Sequence, residues 1–169
     1  MAGRVARSVP DCRFVMVGGG RLKTRILKRA ASLGIDGKLD VLDFATNPYP
    51  LMKACAVVVV PSVDEGYSLV TAEAMALERP TVCARSGALP ELVDESSTGF
   101  LYPSGDTSAL AERVIHLLRN PDLGRTLGEA GGSRIRALFS LERQLREIAK
   151  NVKNILYEVS SGKPSRVSP

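Results

Sequence analysis

The sequence is poor in the residue types that mark several large classes of protein. It has no tryptophan, one histidine and three cysteines, and aromatic residues make up 5% of its 169 residues. The cysteines Cys12, Cys55 and Cys83 are odd in number and far apart, which disfavours a disulfide framework or a zinc site. No apolar run approaches the roughly 20 residues of a membrane-spanning helix, and no apolar signal segment follows Met1. We therefore expect a reduced, cytoplasmic protein without a membrane span.

Positive charge is concentrated at one end of the chain. Lysine and arginine number 23 against 18 aspartates and glutamates, and residues 1–38 hold nine basic but only two acidic side chains. A basic surface of this kind can bind nucleic acid or acidic lipid. However, no aromatic residue is interleaved with the basic side chains of residues 21–29, which fall mostly between the apolar positions of one predicted helix. We interpret them as a solvated helix face and expect no nucleic-acid partner.

Short apolar segments alternate with segments of helical periodicity. Strands are predicted at residues 13–17, 39–44, 57–60, 80–84 and 98–103, with helices between them at about 22–33, 50–55 and 68–77. This alternation predicts a doubly wound α/β fold, a parallel sheet with helices on both faces. The remaining chain predicts C-terminal helices only, at about 106–119, 122–138 with a break near Gly131 and Gly132, and 141–159.

Ligands of such sheets bind beyond the carboxyl ends of the strands, which directs attention to the loop after Val60. That loop leads into a predicted helix in which Glu73 shares its face with Leu69 and Leu77. A carboxylate among apolar neighbours needs hydrogen-bond donors. The hydroxyls of a nucleotide ribose would supply two donors, and the backbone amides of a neighbouring loop are the alternative. Both interpretations stay open.

Other features of these loops also suit a phosphorylated ligand. Gly66, beside Glu65, lets backbone amides approach a ligand closely, and Ser68 is the predicted N-cap of a helix whose positive end suits a diphosphate. A second loop, residues 85–88, could add amides around the same ligand. The glycines at residues 18–20 predict either a phosphate or base contact or merely a tight strand-to-helix turn.

The combined pattern resembles the nucleotide-sugar-binding half of retaining glycosyltransferases of the GT-B fold, in the group 1 or family 4 class. The resemblance rests on PS at 61–62, EGYSLV at 65–70, EAMA at 73–76, PTV at 80–82, SGALPELV at 86–93 and TGFLYP at 98–103. It covers about residues 8–145. It implies a Rossmann-like, donor-binding domain over residues 1–159, followed by a flexible tail at 160–169.

The resemblance also implies roles for individual residues. Glu65 would be the catalytic residue and would hold hydroxyls of the donor sugar, while Glu73 would bind the ribose. Donor binding would also involve Gly18, Gly19, Gly66, Tyr67, Ser68 and Leu69. Such enzymes transfer a sugar from a nucleoside diphosphate to an acceptor hydroxyl with retention at the anomeric carbon. They generally need neither a metal nor another cofactor.

The resemblance is incomplete at its beginning. Family members carry an acceptor domain before this half, and the first strand of the donor domain is not matched, nor are the arginine and lysine that grip the diphosphate. Because that strand is central, its loss would leave a vacant position between the strands around Val15 and Val58. Asp43 and Glu78 also replace glycines usual in the family; Asp43 puts the base pocket in question, and Glu78 should cause local strain.

Two functions follow as hypotheses. The first is a donor-binding domain that is active only with an N-terminal acceptor domain, which either lies on another chain or has been lost by truncation. The second is a noncatalytic nucleotide- or partner-binding module that kept the fold. An apolar stripe in the last predicted helix, from Leu141 to Val159, would be an exposed docking face for the acceptor domain or a surface for self-association.

Overall fold

The computed structural model describes residues 1–160, in which parallel strands alternate with helices. The strands are β1 (Phe14–Val17), β2 (Leu39–Leu42), β3 (Val58–Val60), β4 (Thr81–Arg85) and β5 (Phe100–Pro103). The helices are α1 (Ala2–Ser8), α2 (Lys23–Ser32), α3 (Tyr49–Ala54), α4 (Leu69–Ala76), α5 (Leu89–Leu92), α6 (Thr107–Arg119), α7 (Pro121–Phe139) and α8 (Leu141–Ser160), with a 3₁₀ turn at Asp36–Lys38. The five predicted strands are confirmed. Of the predicted tail, residues 161–169 lie outside the described residues.

The strands form two separate parallel sheets. In the first, β1 pairs with β2, with Phe14 opposite Leu39. In the second, β4 lies between β3 and β5, with Val59 opposite Val82. Across the described part of the chain β1 and β3 share no sheet. The structure therefore agrees with the predicted vacant position, because β1 and β3 are not hydrogen-bonded to each other.

The vacant position leaves apolar strand residues uncovered. In β1, Val15, Met16 and Val17 are 39%, 45% and 43% exposed, although they are residue types suited to a covered strand. In β3, Val58 and Val59 are only half-buried. By contrast, the first four residues of β4 are fully buried because that strand has a neighbour on each side. Strand β4 of the three-stranded sheet is thus fully covered, whereas strand β1 of the two-stranded sheet is exposed.

The main hydrophobic core lies around β4 and β5. It contains Met75 from α4, Leu89 and Leu92 from α5, and residues of α6 and α7. Burial of one such side chain contributes about 1.5–3 kcal/mol. A second, much smaller cluster is formed by Ala6, Ala30 and Ile35. Cys12 and Phe14 pack against both clusters and so connect the two sheets.

Helix α7 is continuous, which corrects the predicted break near Gly131 and Gly132. Its glycines are buried against α4 and the turn that follows it. A Cβ atom at Gly128 would lie 2.2 Å from the carbonyl oxygen of Glu78, and one at Gly132 would lie 2.8 Å from Cγ of the same residue. The glycines therefore serve close helix packing. Glu78 itself has φ +58°, so the strain expected where the family has glycine is confirmed.

Candidate functional site

The loop from β3 to α4 ends at a buried helix cap. The Ser68 hydroxyl accepts a hydrogen bond from the Thr71 amide at 3.4 Å and lies 2.9 Å from the Thr71 hydroxyl. Both residues are almost fully buried. The predicted N-cap is therefore confirmed, and it fixes the direction in which the first turn of α4 points its amides. This end of the helix carries a partial positive charge of about half an elementary charge.

The loop after β4, residues 86–88, is hydrogen-bonded to the backbone of the loop between β3 and α4. The Ala88 amide donates a hydrogen bond of 2.9 Å to the Glu65 carbonyl oxygen, and the Ser86 hydroxyl donates to the Val63 carbonyl oxygen. Gly87 has φ +52°, and a Cβ atom there would lie 2.1 Å from the Glu65 carbonyl oxygen. The expectation that this loop supplies amides to a ligand is wrong for Ala88, because its amide already has a partner. The loop instead holds the backbone of Glu65.

The loop between β3 and α4 carries polar groups that have no hydrogen-bond partner among the described residues. The Glu65 side chain is half-buried, and within residues 1–160 its carboxylate accepts no hydrogen bond. In the same range the amides of Gly66, Tyr67 and Ser68 donate to no protein acceptor, whereas the Leu69 amide donates to the Tyr67 carbonyl oxygen at 3.2 Å. The Glu65 carboxylate and the N–H groups of the exposed residues Gly66 and Tyr67 are therefore available just before α4, whereas Ser68 is only 1% exposed. This combination can bind sugar hydroxyls and phosphate oxygens.

Glu73 is half-buried rather than enclosed, although its helical neighbours are apolar. The buried residues of α4 are Thr71, Ala74 and Met75. On the opposite side Leu69 and Val70 are 63% and 49% exposed. The Glu73 carboxylate thus borders an open apolar surface.

A tyrosine hydroxyl supplies the hydrogen-bond donor that the Glu73 carboxylate requires. The hydroxyl of Tyr49, the first residue of α3, donates a hydrogen bond of 3.0 Å to Oε1 of Glu73. This bond and the negative charge of Glu73 raise the pKa of Tyr49. Among the described residues no backbone amide donates to Glu73, so the loop-amide interpretation is not supported. The sequence predicted only a helix at about residues 50–55 in this segment and did not identify Tyr49 as a site residue.

The glycines after β1 border a groove on the other sheet. Gly18 and Gly20 have φ +138° and +152°, so the turn requires glycine. The turn also opens a groove of about 660 Å³, lined by residues 18–23 and Ile26. Asp43, where the resembling family has glycine, accepts a salt bridge of 2.8 Å from Lys23 beside this groove. Neither Glu65 nor Glu73 lines it.

The structure therefore brings most predicted site residues together but not all. One loop and one helix carry Glu65, Gly66, Tyr67, Ser68, Leu69 and Glu73, while Gly18 and Gly19 follow a strand of the other sheet. Both groups follow the carboxyl ends of parallel strands, where ligands of this fold bind. Residues 1–160 contain no group of three or more metal-ligating side chains. Over the same residues no helix is long and apolar enough to cross a membrane.

The chain has two parallel sheets flanked by helices, and carboxylates and free amides follow the carboxyl ends of their strands. These features define a Rossmann-like ligand-binding fold. The family model described as "Glycosyl transferases group 1" matches residues 1–120. The chain therefore belongs to the group 1 glycosyl transferases, and its fold is that of the GT-B enzymes. The resemblance noted in the sequence is confirmed.

Two curated relatives illustrate the range of the family. The chain is 30% identical over 149 residues to N-acetyl-alpha-D-glucosaminyl L-malate synthase of Bacillus anthracis, a match that covers 88% of this chain and 38% of the relative. It is also 30% identical over 148 residues to an uncharacterized glycosyltransferase of Methanocaldococcus jannaschii, which covers 83% and 40%. The chain thus spans about two fifths of the length of these relatives.

Solved structures give the same picture of the fold. Sucrose-phosphate synthase from Thermosynechococcus elongatus superposes with a TM-score of 0.81 at 26% identity, covering 92% of this chain and 41% of that one. Anabaena HepE in complex with UDP superposes with a TM-score of 0.83 at 23% identity, covering 89% and 43%. The C-terminal domain of a group 1 glycosyl transferase from Francisella tularensis gives 0.75 at 21% identity, covering 83% and 76%. The last two matches concern the fold alone.

Proposed function

We propose that residues 1–159 are the donor-binding domain of a retaining glycosyltransferase, which transfers a sugar from a nucleoside diphosphate to an acceptor hydroxyl. The observation that carries this proposal is the Glu73 carboxylate. It is half-buried at the carboxyl edge of the sheet, beside exposed apolar side chains, and its Oε2 atom has no partner among the described residues. A ribose would donate both of its hydroxyls to this carboxylate. HepE, a structural neighbour, has been solved with UDP.

The loop before α4 would bind the rest of the donor. Glu65 would accept hydrogen bonds from the sugar hydroxyls and so hold the anomeric carbon in place for the transfer. The amides of Gly66 and Tyr67, together with the positive end of α4, would stabilise the charge of the leaving diphosphate. In this arrangement the backbone amides and the helix dipole would stabilise the diphosphate charge without a metal ion.

The acceptor would be bound by an N-terminal domain that lies outside residues 1–169. Three observations support this part of the proposal. The chain spans about two fifths of its relatives, the position between β1 and β3 is vacant, and α8 exposes an apolar stripe. The stripe consists of Leu141, Leu145, Ile148, Val152, Ile155 and Leu156, each at least half exposed; the side chain of Val159 lies outside the described residues.

The proposal is tested by calorimetric titration of the chain with UDP, GDP and ADP, each with and without an attached sugar. The isosteric variant Glu73→Gln keeps the shape and the bond to Tyr49 but loses the charge that binds the ribose. Hydrogen bonds to a charged group contribute about 1.5–3 kcal/mol, so binding should weaken by at least tenfold.

Glu129→Gln is the matched control, because Glu129 is an exposed glutamate of α7 and makes no ion pair among the described residues. It should bind the nucleotide as tightly as the wild type. Equal affinities for Glu73→Gln and the wild type would contradict the role of Glu73. If no nucleotide binds at millimolar concentration, the noncatalytic partner-binding module becomes the better explanation.

A further inference from the structure

We propose that Tyr49 is a positioning residue that orients the Glu73 carboxylate and thereby gives this site its preference for ribonucleotides over 2′-deoxyribonucleotides. The inference rests on the proposed donor-binding function. It adds a residue from α3 to a site otherwise built from the loop before α4 and from α4 itself. Its evidence is the 3.0 Å hydrogen bond from the Tyr49 hydroxyl to Oε1 of Glu73.

The geometry leaves the carboxylate ready for a diol. An ionised carboxylate has about four lone-pair sites, of which the tyrosine hydroxyl occupies one on Oε1. The second site on Oε1 and both sites on Oε2 remain, which is enough to accept the 2′- and 3′-hydroxyls together. A free glutamate side chain samples several rotamers, and binding would have to restrict them. The hydrogen bond from Tyr49 restricts them before the ligand arrives.

Tyr49 is itself held in place. Asn47 Oδ1 accepts a hydrogen bond of 3.2 Å from the Tyr49 amide at the start of α3. Pro48 and Pro50 restrict the backbone on either side of it. Yet the side chain is 46% exposed, so its ring is not a core residue. A tyrosine with a constrained backbone and an open ring, which turns its hydroxyl toward a carboxylate, is placed to act on that carboxylate.

A purely structural role is the competing explanation, because the same bond joins α3 to α4. The two roles predict different results for ligands that differ by one hydroxyl. If Tyr49 only joins the helices, its loss should weaken all nucleotides equally. If it orients Glu73 for a diol, its loss should weaken the ribonucleotide more than the 2′-deoxy analogue, which has only its 3′-hydroxyl to donate to Glu73.

The experiment compares wild type, Tyr49→Phe and Tyr157→Phe by calorimetry. Tyr157 is an exposed tyrosine of α8 and serves as the control for the same chemical change. The ligands are whichever of UDP, GDP or ADP the wild type binds and its 2′-deoxy counterpart. We expect Tyr49→Phe to weaken the ribonucleotide about three- to tenfold and the deoxy compound less than twofold. Tyr157→Phe should change neither. Equal weakening of both ligands, or no weakening, would overturn the inference.

The hydrogen bond can also be measured without a ligand. The raised pKa of Tyr49 should appear in an ultraviolet pH titration as a tyrosine that ionises late. Burial also raises the pKa of Tyr102, so Tyr49→Phe should remove one of two late components, and Glu73→Gln should shift that same component to lower pH. If the wild type binds nucleotide and Glu73→Gln weakens it while Tyr49→Phe has no effect, only this inference fails. If the wild type binds no nucleotide, the proposed function fails and the inference falls with it.

Discussion

Glu73 is conspicuous in the sequence because its helical neighbours are apolar. In the structure, however, the surroundings of its carboxylate are determined by a contact from outside helix α4. Helix α4 is apolar on every side, so periodicity could not distinguish its buried side from its open one. The structure buries Thr71 and Ala74 and leaves Leu69 exposed. The partner of Glu73 lies 24 residues away in sequence. No local pattern could have predicted that contact, whereas the cap at Ser68 is local and was predicted correctly.

Cys83 gives a prediction that concerns one residue in the core. It lies in β4, is fully buried, and burial raises the pKa of its thiol from 9.0 to about 11. The folded state therefore favours the protonated thiol. The corresponding stability is fully present below about pH 9 and is lost as the pH rises toward 11. A shift of two units corresponds to about 2–3 kcal/mol.

Between pH 9 and pH 11, the free energy of unfolding of the wild type should fall more than that of Cys83→Ala. The difference between the two decreases should be about 2–3 kcal/mol. Urea titrations at a series of pH values measure the difference. The alanine variant removes the thiol but retains the other titrating groups, so their effects cancel in the comparison. Parallel pH profiles for the two proteins would mean that the thiol is not held in its protonated form.

At the scale of secondary structure, the sequence predicted the elements well and their packing less well. Val57 to Val60 and the glycine turn before α2 were sufficient to place strands and a helix, because each signal is contained within a few residues. The glycines of α7 were interpreted as a break. Their actual function is close contact with the turn after α4, which depends on a part of the chain about 50 residues earlier. Only the tertiary structure distinguishes these two uses of glycine.

Two glycines of α7 allow a matched test of this packing. At Gly128 a Cβ atom would lie 2.2 Å from the Glu78 carbonyl oxygen, whereas at Gly124 the nearest atom is Pro80 Cγ at an ordinary 3.5 Å. Gly128→Ala should therefore lower the free energy of unfolding by about 2–3 kcal/mol. Gly124→Ala should leave it unchanged or raise it by up to about 1 kcal/mol, because alanine favours the helix. Urea denaturation measures the free energy of unfolding of both variants. If both substitutions change it equally, α7 does not pack as described.

For the whole molecule, the vacant position between the two sheets was predictable because the strand order of the resembling fold makes the missing strand central. What joins the sheets in its absence was not predictable. Phe14 at the start of β1 packs against both hydrophobic clusters, and Val5 of α1 is fully buried in the main core. These contacts involve the N-terminal side of the sheets, whereas the residues near the proposed site on β1 are exposed. The core therefore supports the second sheet far better than the first.

This asymmetry predicts unequal hydrogen exchange. Each amide of β4 lies in a strand that is paired on both sides, whereas β1 and β3 each have an open edge. Amides that lack a partner or open locally exchange long before the molecule unfolds globally. In the 169-residue chain, amides of β4 should therefore be the slowest to exchange and those of β1 among the fastest of the strands.

The same measurement tests how the vacant position is filled. If a polypeptide segment from outside residues 1–169 supplies a strand there, its addition should slow exchange in β1 and β3, because both open edges gain hydrogen-bond partners. Exchange in β4 should change little, since its amides are already paired, and β4 therefore serves as the internal control. Uniformly strong protection of β1 and β3 in the isolated chain would contradict this view, because it would require the two edges to close against each other without an added strand.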